Sequence, residues 1–359
     1  MKLHLVGGFL GSGKTTAIIA AVRLLMAQGK KVGVVTNDQG KYLVDTSFFR
    51  LSNVPSVEVT GGCFCCNYDD LASRLNQLRN EIHPDVIFAE SVGSCGDLVA
   101  TVVKPLIELS SKDVQPSSFS VFTDSRLLQM RMQGEELPFS ENVVYLFDKQ
   151  IEEAGILVIN KSDLLESTEG EKLLAVARQR YPDKQVVLQN STSLDQVQNW
   201  VSMIEEDQIV LPDQSLDMDY ERYGDGEAQL AWLDEKIDLV VPDGQGGEVV
   251  RHLIEMIQNE LNRLNAPIGH VKFIIQGDGV ESKVSITTLQ VLDFQKNIPD
   301  FPGVHLELLI NARVQIIAEE LKDLIGRLMT LCCAEMGAEW QEIAVNYFHP
   351  AFPSPTHRL

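Results

Sequence analysis

Residues Gly8-Phe9-Leu10-Gly11-Ser12-Gly13-Lys14-Thr15 fit the pattern G-x-x-x-x-G-K-[ST], and they lie between an apolar run, Leu3–Val6, and a helical stretch, Thr16–Met26. A turn of this kind needs a strand feeding it and a helix leaving it, so the pattern implies a βα unit. Gly8, Gly11 and Gly13 let the backbone of the loop, Ser12 included, turn its N–H groups onto phosphate oxygens, and the positive end of the helix dipole adds to their pull. Lys14 is expected at the β- and γ-phosphates, the Thr15 hydroxyl on Mg²⁺, and Thr16 beside the phosphates in the first helical turn. The expected ligand is a nucleoside triphosphate.

Short β-branched runs alternate with helical periodicity along the first two hundred or so residues. Lys31–Thr36, Ser56–Val59, Asp85–Glu90, Phe119–Phe122, Gly155–Asn160 and Gln185–Leu188 read as strands, with helices such as Asp69–Arg79 and Gly170–Arg180 between them. That order predicts an α/β fold, a P-loop NTPase parallel sheet with helices on both faces and the ligand at the carboxyl edge of its strands. From Glu205 to Glu227 the composition turns acidic and rich in Pro and Gly, which reads as a linker. The expected division is a P-loop domain over 1–204, a linker over 205–227 and a smaller C-terminal α+β domain over 228–359, its sheet carrying two helices on one face.

A net charge of -21 excludes the basic footprint that tracking a nucleic-acid backbone requires and disfavours anionic membranes. No apolar run approaches the roughly 20 residues of a membrane span. With the first strand beginning at Leu3 no signal peptide is expected, so the protein is read as cytoplasmic. Six cysteines are too few for a disulfide framework, and their clustering suits metal chemistry in a reducing compartment.

Two further strand ends carry chemistry. Asn160-Lys161-Ser162-Asp163 follows Ile156–Ile159, the context of an Asn-Lys-x-Asp guanine reader. The Asp163 carboxylate can accept from guanine N1–H and its exocyclic amine, a donor pair adenine lacks; Asn160 would position the base edge and the Lys161 stem would pack on its ring. Glu90, at the end of Asp85–Glu90, is placed to bind the Mg²⁺ shell or polarise attacking water, and the Gly93 amide to sense the γ-phosphate. Arg126 is the nearest in-chain arginine for the phosphates, and slow intrinsic turnover is expected.

Cys63-Phe64-Cys65-Cys66 follows the strand Ser56–Val59 and the turn Gly61-Gly62. Such closely spaced thiolates suit Zn²⁺ or another thiophilic ion. Three ligands leave a fourth to Glu58, water, Cys95 or a second subunit. Cys332 and Cys333 lie in an apolar helical run and read as core residues. His349 and His357 flank prolines in a segment that reads as docking or fraying.

Together, Val57-Glu58-Val59-Thr60-Gly61-Gly62-Cys63-Phe64-Cys65-Cys66 resembles the Glu-x-x-x-Gly-Cys-x-Cys-Cys signature of the CobW-like metallochaperone GTPases, relatives of the GTPases that insert nickel into hydrogenase and urease. Thr36-Asn37-Asp38-Gln39-Gly40 with Asp45 is similar to that family's Asn-Glu-x-Gly switch segment, and Val121–Asp124 to its next strand end. The stretch from Glu90 to Gly96 is closer to the hydrogenase and urease maturation form. The resemblance implies GTP hydrolysis coupled to delivery of Zn²⁺, Co²⁺ or Ni²⁺ to a client metalloenzyme or cofactor-assembly protein. It also implies Asp38 beside Lys14 and Glu90 in the catalytic set, and Cys63, Cys65, Cys66 and Glu58 as candidate ligands of the transition metal. A homodimer sharing one ion is an open alternative, as is a GTP-binding module that regulates a client without passing metal to it.

Overall fold

The computed structural model describes residues 1–38, 54–110, 114–206, 211–289 and 294–359. They fall into two compact units, one holding the described residues of 1–226 and 352–359, the other those of 227–351.

The first unit is built on a parallel sheet of seven strands: β1 (Lys2–Gly8), β2 (Val32–Asp38), β3 (Ser56–Thr60), β4 (Val86–Glu90), β5 (Pro116–Asp124), β6 (Ile156–Asn160) and β7 (Gln185–Leu188). Their order across the sheet is β3-β2-β4-β1-β5-β6-β7. The central strands are buried on both faces, as near-continuous apolar runs require in a parallel sheet. On one face Val6, Val34, Phe88, Phe122 and Val158 pack with the helices Lys14–Ala27 and Leu194–Ile204. The alternating residues Leu5, Ile87, Val121 and Leu157 are equally buried on the other.

The register brings the strand ends to one edge. Val6 lies opposite Glu90, Gly8 opposite Phe122, Asp38 opposite Thr60, and Asp124 opposite Asn160. Where β1 runs beside β5, the chain needs glycine: Gly8 has φ +124°, and a Cβ there would lie 2.1 Å from the Phe122 carbonyl oxygen.

The second unit is an antiparallel five-stranded sheet, order β10-β9-β11-β8-β12, formed by β8 (Ala231–Val240), β9 (Ile268–Gly277), β10 (Val280–Ile286), β11 (His305–Val314) and β12 (Glu339–Phe348). Helices Gly246–Arg263 and Ala318–Met336 bury their apolar stripes in its core, which takes in Cys332 and Cys333 as packing residues. The helix Ala318–Met336 receives a cap from His349, whose Nε2 accepts the Ala318 N–H at 3.0 Å.

Three findings differ from the sequence expectation. A twelfth strand, Glu339–Phe348, follows the last helix, and a helix, Tyr220–Ala228, stands within the stretch read as linker, with Tyr223 fully buried. Residues 352–359 group with the first unit, not with the sheet that precedes them in the chain. No helix among the described residues is long and apolar enough to cross a membrane.

Within the second core one polar residue stands out. Glu235 shares a face of β8 with Leu233 and Ile237, is 1% exposed, and has an oxygen, Oε2, without a hydrogen-bond partner among the described residues. Burial, with the Glu342 charge adding to it and Lys322 opposing, pushes its carboxyl up to about 7. The folded state therefore holds this proton more tightly than the unfolded chain does. Stability falls as pH rises from the ordinary glutamate range through about 7 and the loss is complete above it. Replacement Glu235→Gln is expected to raise the thermal midpoint at pH 8, by up to about 3 kcal/mol of stability, and to change it little at pH 4, as differential scanning calorimetry at the two pH values would show.

Candidate functional site

The phosphate loop joins β1 to the helix Lys14–Ala27. Gly11 and Gly13 take positive φ, 69° and 89°, and turn the loop at both places. The Lys14 ammonium is buried and donates to the carbonyls of Gly8 at 2.6 Å and Phe9 at 3.2 Å, which folds it over the loop. Ser12 Oγ is buried with no hydrogen-bond partner among the described residues, so a hydroxyl stands ready for an acceptor. Thr16, by contrast, is exposed. At the end of β4, Glu90 accepts the Thr15 hydroxyl at 2.8 Å, so the two residues expected to share Mg²⁺ are already partners. Gly93 approaches the loop so closely that a Cβ would lie 2.6 Å from Leu10 Cδ2 and 3.0 Å from Leu10 Cα and N. Oxygen ligands, a lysine and an orphan hydroxyl around a glycine loop fit a triphosphate with Mg²⁺.

The Asn-Lys-x-Asp turn, Asn160–Asp163, is tied to that loop by one amide. Asn160 Nδ2 donates to the Ser12 carbonyl at 2.7 Å, while its Oδ1 accepts the backbone N–H and hydroxyl of Ser191 at 3.1 and 2.8 Å. A Cβ at Gly13 would lie 2.4 Å from Asn160 Nδ2. Lys161 takes φ +60° and leads into the turn Ser162–Leu164, where Asp163 is exposed. The Lys161 ammonium sits 3.1 Å from Asp124, which also holds Arg126 at 2.7 Å. Burial would raise the Asp124 carboxyl, but Lys161 and Arg126 outweigh it and hold it below the ordinary range.

The third strand end carries the thiols. Cys66 N–H and Asn67 N–H both return to the Cys63 carbonyl, at 3.1 and 2.9 Å, closing a tight turn that brings the sulfurs of Cys63, Cys65 and Cys66 within 4.8 Å of one another. Cys65 is the hub: its sulfur lies 2.7 Å from Cys63, 3.7 Å from Cys66 and 3.8 Å from Cys95. The longer separations match the edge of a tetrahedron whose centre is about 2.3 Å from each sulfur, the zinc–thiolate length. Hydrogen bonding from Cys63, then Cys66 and Cys95, with burial, raises the Cys65 thiol well above its ordinary value, and Cys63 does the same more mildly to Cys66. Cys63, Cys65 and Cys95 are at most 3% exposed, whereas Cys66 is partly open. Among the described residues the compact group of ligand atoms is the three thiols; Glu58, half-buried on β3, is not among them.

Asn37, at the end of β2, fixes this turn. Its Nδ2 donates to the carbonyls of Gly62 at 2.8 Å and Val59 at 3.2 Å, and its Oδ1 accepts the Phe64 N–H at 2.9 Å. Asp38 ends the same strand, while Gln39, Gly40 and Asp45 lie outside the described residues.

Four residues, Gln150, Asp97, Tyr220 and Arg358, were not singled out in the sequence. Gln150 donates to the carbonyls of Gly93 at 3.0 Å and Cys95 at 2.8 Å, bracketing the turn after β4. It occupies a helical stripe otherwise apolar, Val143, Leu146, Phe147 and Ile151, and that break in pattern is a legible signal. Asp97 is fully buried at φ +58° and accepts the Tyr220 hydroxyl at 2.7 Å and Arg358 Nε at 2.8 Å. Nothing local in the sequence marks those two pairings, which span more than a hundred residues each.

Comparison with known proteins agrees with this geometry. Residues 2–188 match the family described as CobW/HypB/UreG, nucleotide-binding domain. The chain is 30% identical over 195 residues to the zinc chaperone YeiR of Escherichia coli, covering 52% of this chain and 54% of that one. It is 27% identical over 184 residues to the zinc chaperone CobW of Sinorhizobium sp, covering 45% and 51%. The chain thus spans about half the length of the curated relatives it matches. Among solved structures, HypB from Helicobacter pylori in complex with nickel superposes with a TM-score of 0.42 at 15% identity, over 57% of this chain and 85% of that one. With a phosphate loop, an Asn-Lys-x-Asp turn and a thiol turn on one sheet edge, and a family match across the sheet that carries them, the chain belongs to the CobW/HypB/UreG family.

Proposed function

We propose that this protein binds and hydrolyses GTP and couples its nucleotide state to holding a thiophilic divalent ion and passing it to a client metalloenzyme or cofactor-assembly protein. The observation that carries the reading is Asn37: from the end of β2 its amide clamps the Cys63–Cys66 turn, and in the sequence it opens the Asn-Glu-x-Gly-like motif. A movement of Asn37 in response to nucleotide would carry the thiol turn with it.

In this reading Lys14 leaves the carbonyls of Gly8 and Phe9 for the β- and γ-phosphates, the glycine loop amides hold the remaining oxygens, and Gly93 brings its amide to the γ-phosphate. Mg²⁺, with Thr15 and Glu90 as its protein ligands, supplies neutralisation of phosphate charge. Asp38 and Glu90 orient the attacking water. Asp163 accepts from the guanine edge while Asn160 and Lys161 support the base. Arg126 is drawn to Asp124, which agrees with slow turnover unless a partner supplies a cation. The thiols of Cys63, Cys65 and Cys66 hold the ion, with Cys95 next in reach of Cys65. Two relatives are named zinc chaperones, and the soft donor set suits Zn²⁺ first, with Co²⁺ and Ni²⁺ as alternatives.

Guanine selection is tested by Asp163→Ala, for which preference for GTP over ATP in equilibrium binding should fall on the order of a hundredfold. Retention of the preference would remove Asp163 from that role. Coupling is tested by titrating Co²⁺ with and without a non-hydrolysable GTP analogue. The two affinities should differ about tenfold in the parent chain, and by linkage Co²⁺ should shift analogue affinity by the same factor. Asn37→Ala should shrink that difference while still binding analogue. Equal affinities in the parent chain would leave a GTPase with no metal coupling.

A further inference from the structure

Residues 352–359 form no helix or strand, and most of their side chains are exposed, yet five of them make contacts, two of these with the thiol turn. Ser354 N–H points to Cys66 Sγ at 3.3 Å. Thr356 donates its N–H to the Cys65 carbonyl at 2.9 Å and its hydroxyl to the Cys66 carbonyl at 3.0 Å. The His357 ring meets Tyr68 edge-on, with centroids 5.0 Å apart. Arg358 reaches the buried Asp97 at 2.8 Å and the Leu216 carbonyl at 2.7 Å, and Leu359 N–H closes on the Ala100 carbonyl at 3.0 Å.

We propose that this segment is a strap that gates the thiol site, closed over Cys65 and Cys66 in the state seen here and lifted when an ion enters or is handed to a client. The inference rests on the metal-holding reading above and adds to it the element that controls exchange.

Position comes first. Cys66 is the one thiol of the three with appreciable exposure, and the strap's Ser354 amide is directed at its sulfur. With Cys63 and Cys65 nearly inaccessible, Cys66 is the sulfur an incoming ligand would first meet, and it remains partly open with the strap bonded to it through Ser354 and Thr356.

Strength comes second. An exposed segment held by a handful of hydrogen bonds belongs to the low end of local stability, so it opens without unfolding the sheet beneath. Its strongest anchor is the charge-assisted pair of Arg358 with Asp97. Asp97 stands in the turn after β4 that also carries Gly93 and Cys95. The same anchor therefore joins the strap to the segment expected to respond to the γ-phosphate, which gives the gate a route to the nucleotide. A binding partner that displaces the strap needs complementary chemistry: an extended peptide with donors for the Cys65 and Cys66 carbonyls and a cation for Asp97.

The test uses the full chain with Arg358→Ala and, separately, Thr356→Pro, which deletes the donor to Cys65, with Arg358→Lys as the conservative control. Each protein is titrated with Co²⁺ to read thiolate absorption, then loaded with Zn²⁺ and mixed with excess chelating dye. Both disruptive variants should release Zn²⁺ about tenfold faster than the parent, with Arg358→Lys between them, at equal Co²⁺ stoichiometry and closely similar melting temperatures. Release at the parent rate in Arg358→Ala and Thr356→Pro, with Co²⁺ bound normally, would overturn the strap. A parent chain that develops no thiolate absorption with Co²⁺ would overturn the metal-holding reading itself, a distinguishable result.

Discussion

Strands that run the same way deliver every loop that follows them to the same edge. In this chain the hydrogen-bonded register of seven parallel strands does so with little stagger, so that a phosphate loop, a carboxylate, an Asn-Lys-x-Asp turn and a thiol turn arise on one edge of the sheet. None of those four features could cooperate in a sheet of mixed direction, where half the loops would face the opposite rim. With both faces buried, a slip of one residue would exchange the two apolar rows between helix layers packed for different side chains, and would carry the strand-end residues away from their shared edge.

On this rim, the loops are tied to the strands by side-chain amides. Asn37 holds the thiol turn, Gln150 holds the turn after β4 at the carbonyls of Gly93 and Cys95, and Asn160 holds the phosphate loop at Ser12. Each amide reaches backbone distant in sequence from its own element; Asn37 and Asn160 use donor and acceptor at once, whereas Gln150 donates to both of its carbonyls. Buried carbonyls are thereby satisfied without a net charge, and the loops keep defined places relative to the strands.

Much of this was legible in the residues because the informative strings are local. The glycine loop, Asn160–Asp163, Glu90 and Cys63–Cys66 each sit directly after a β-branched run, and the alternation of runs and helical periods implied the parallel sheet. The parts that escaped depend on distance. β12 alternates weakly, since much of it is exposed, and so gave no strand signal. The helix Tyr220–Ala228 contains Gly224 and Gly226, which argue against a helix by propensity. The packing explains both: a Cβ at Gly224 would lie 2.4 Å from the Phe352 ring, and one at Gly226 would lie 2.5 Å from the Asn142 carbonyl oxygen. Tertiary closeness has overridden local preference there. Glu58 carried a family signature, yet the ligand atoms that gather are sulfur alone. Asp97, Tyr220 and Arg358 became visible only as a set, since none has a meaning apart from the other two.

The bond from Asn160 to the Ser12 carbonyl, with Gly13 too close to carry a side chain, ties the turn after β6 to the phosphate loop at a set separation. Under the function proposed above, that tie would make the pocket a gauge of span: a ligand whose connector between base and phosphates was shortened or lengthened would be penalised even with both ends chemically correct.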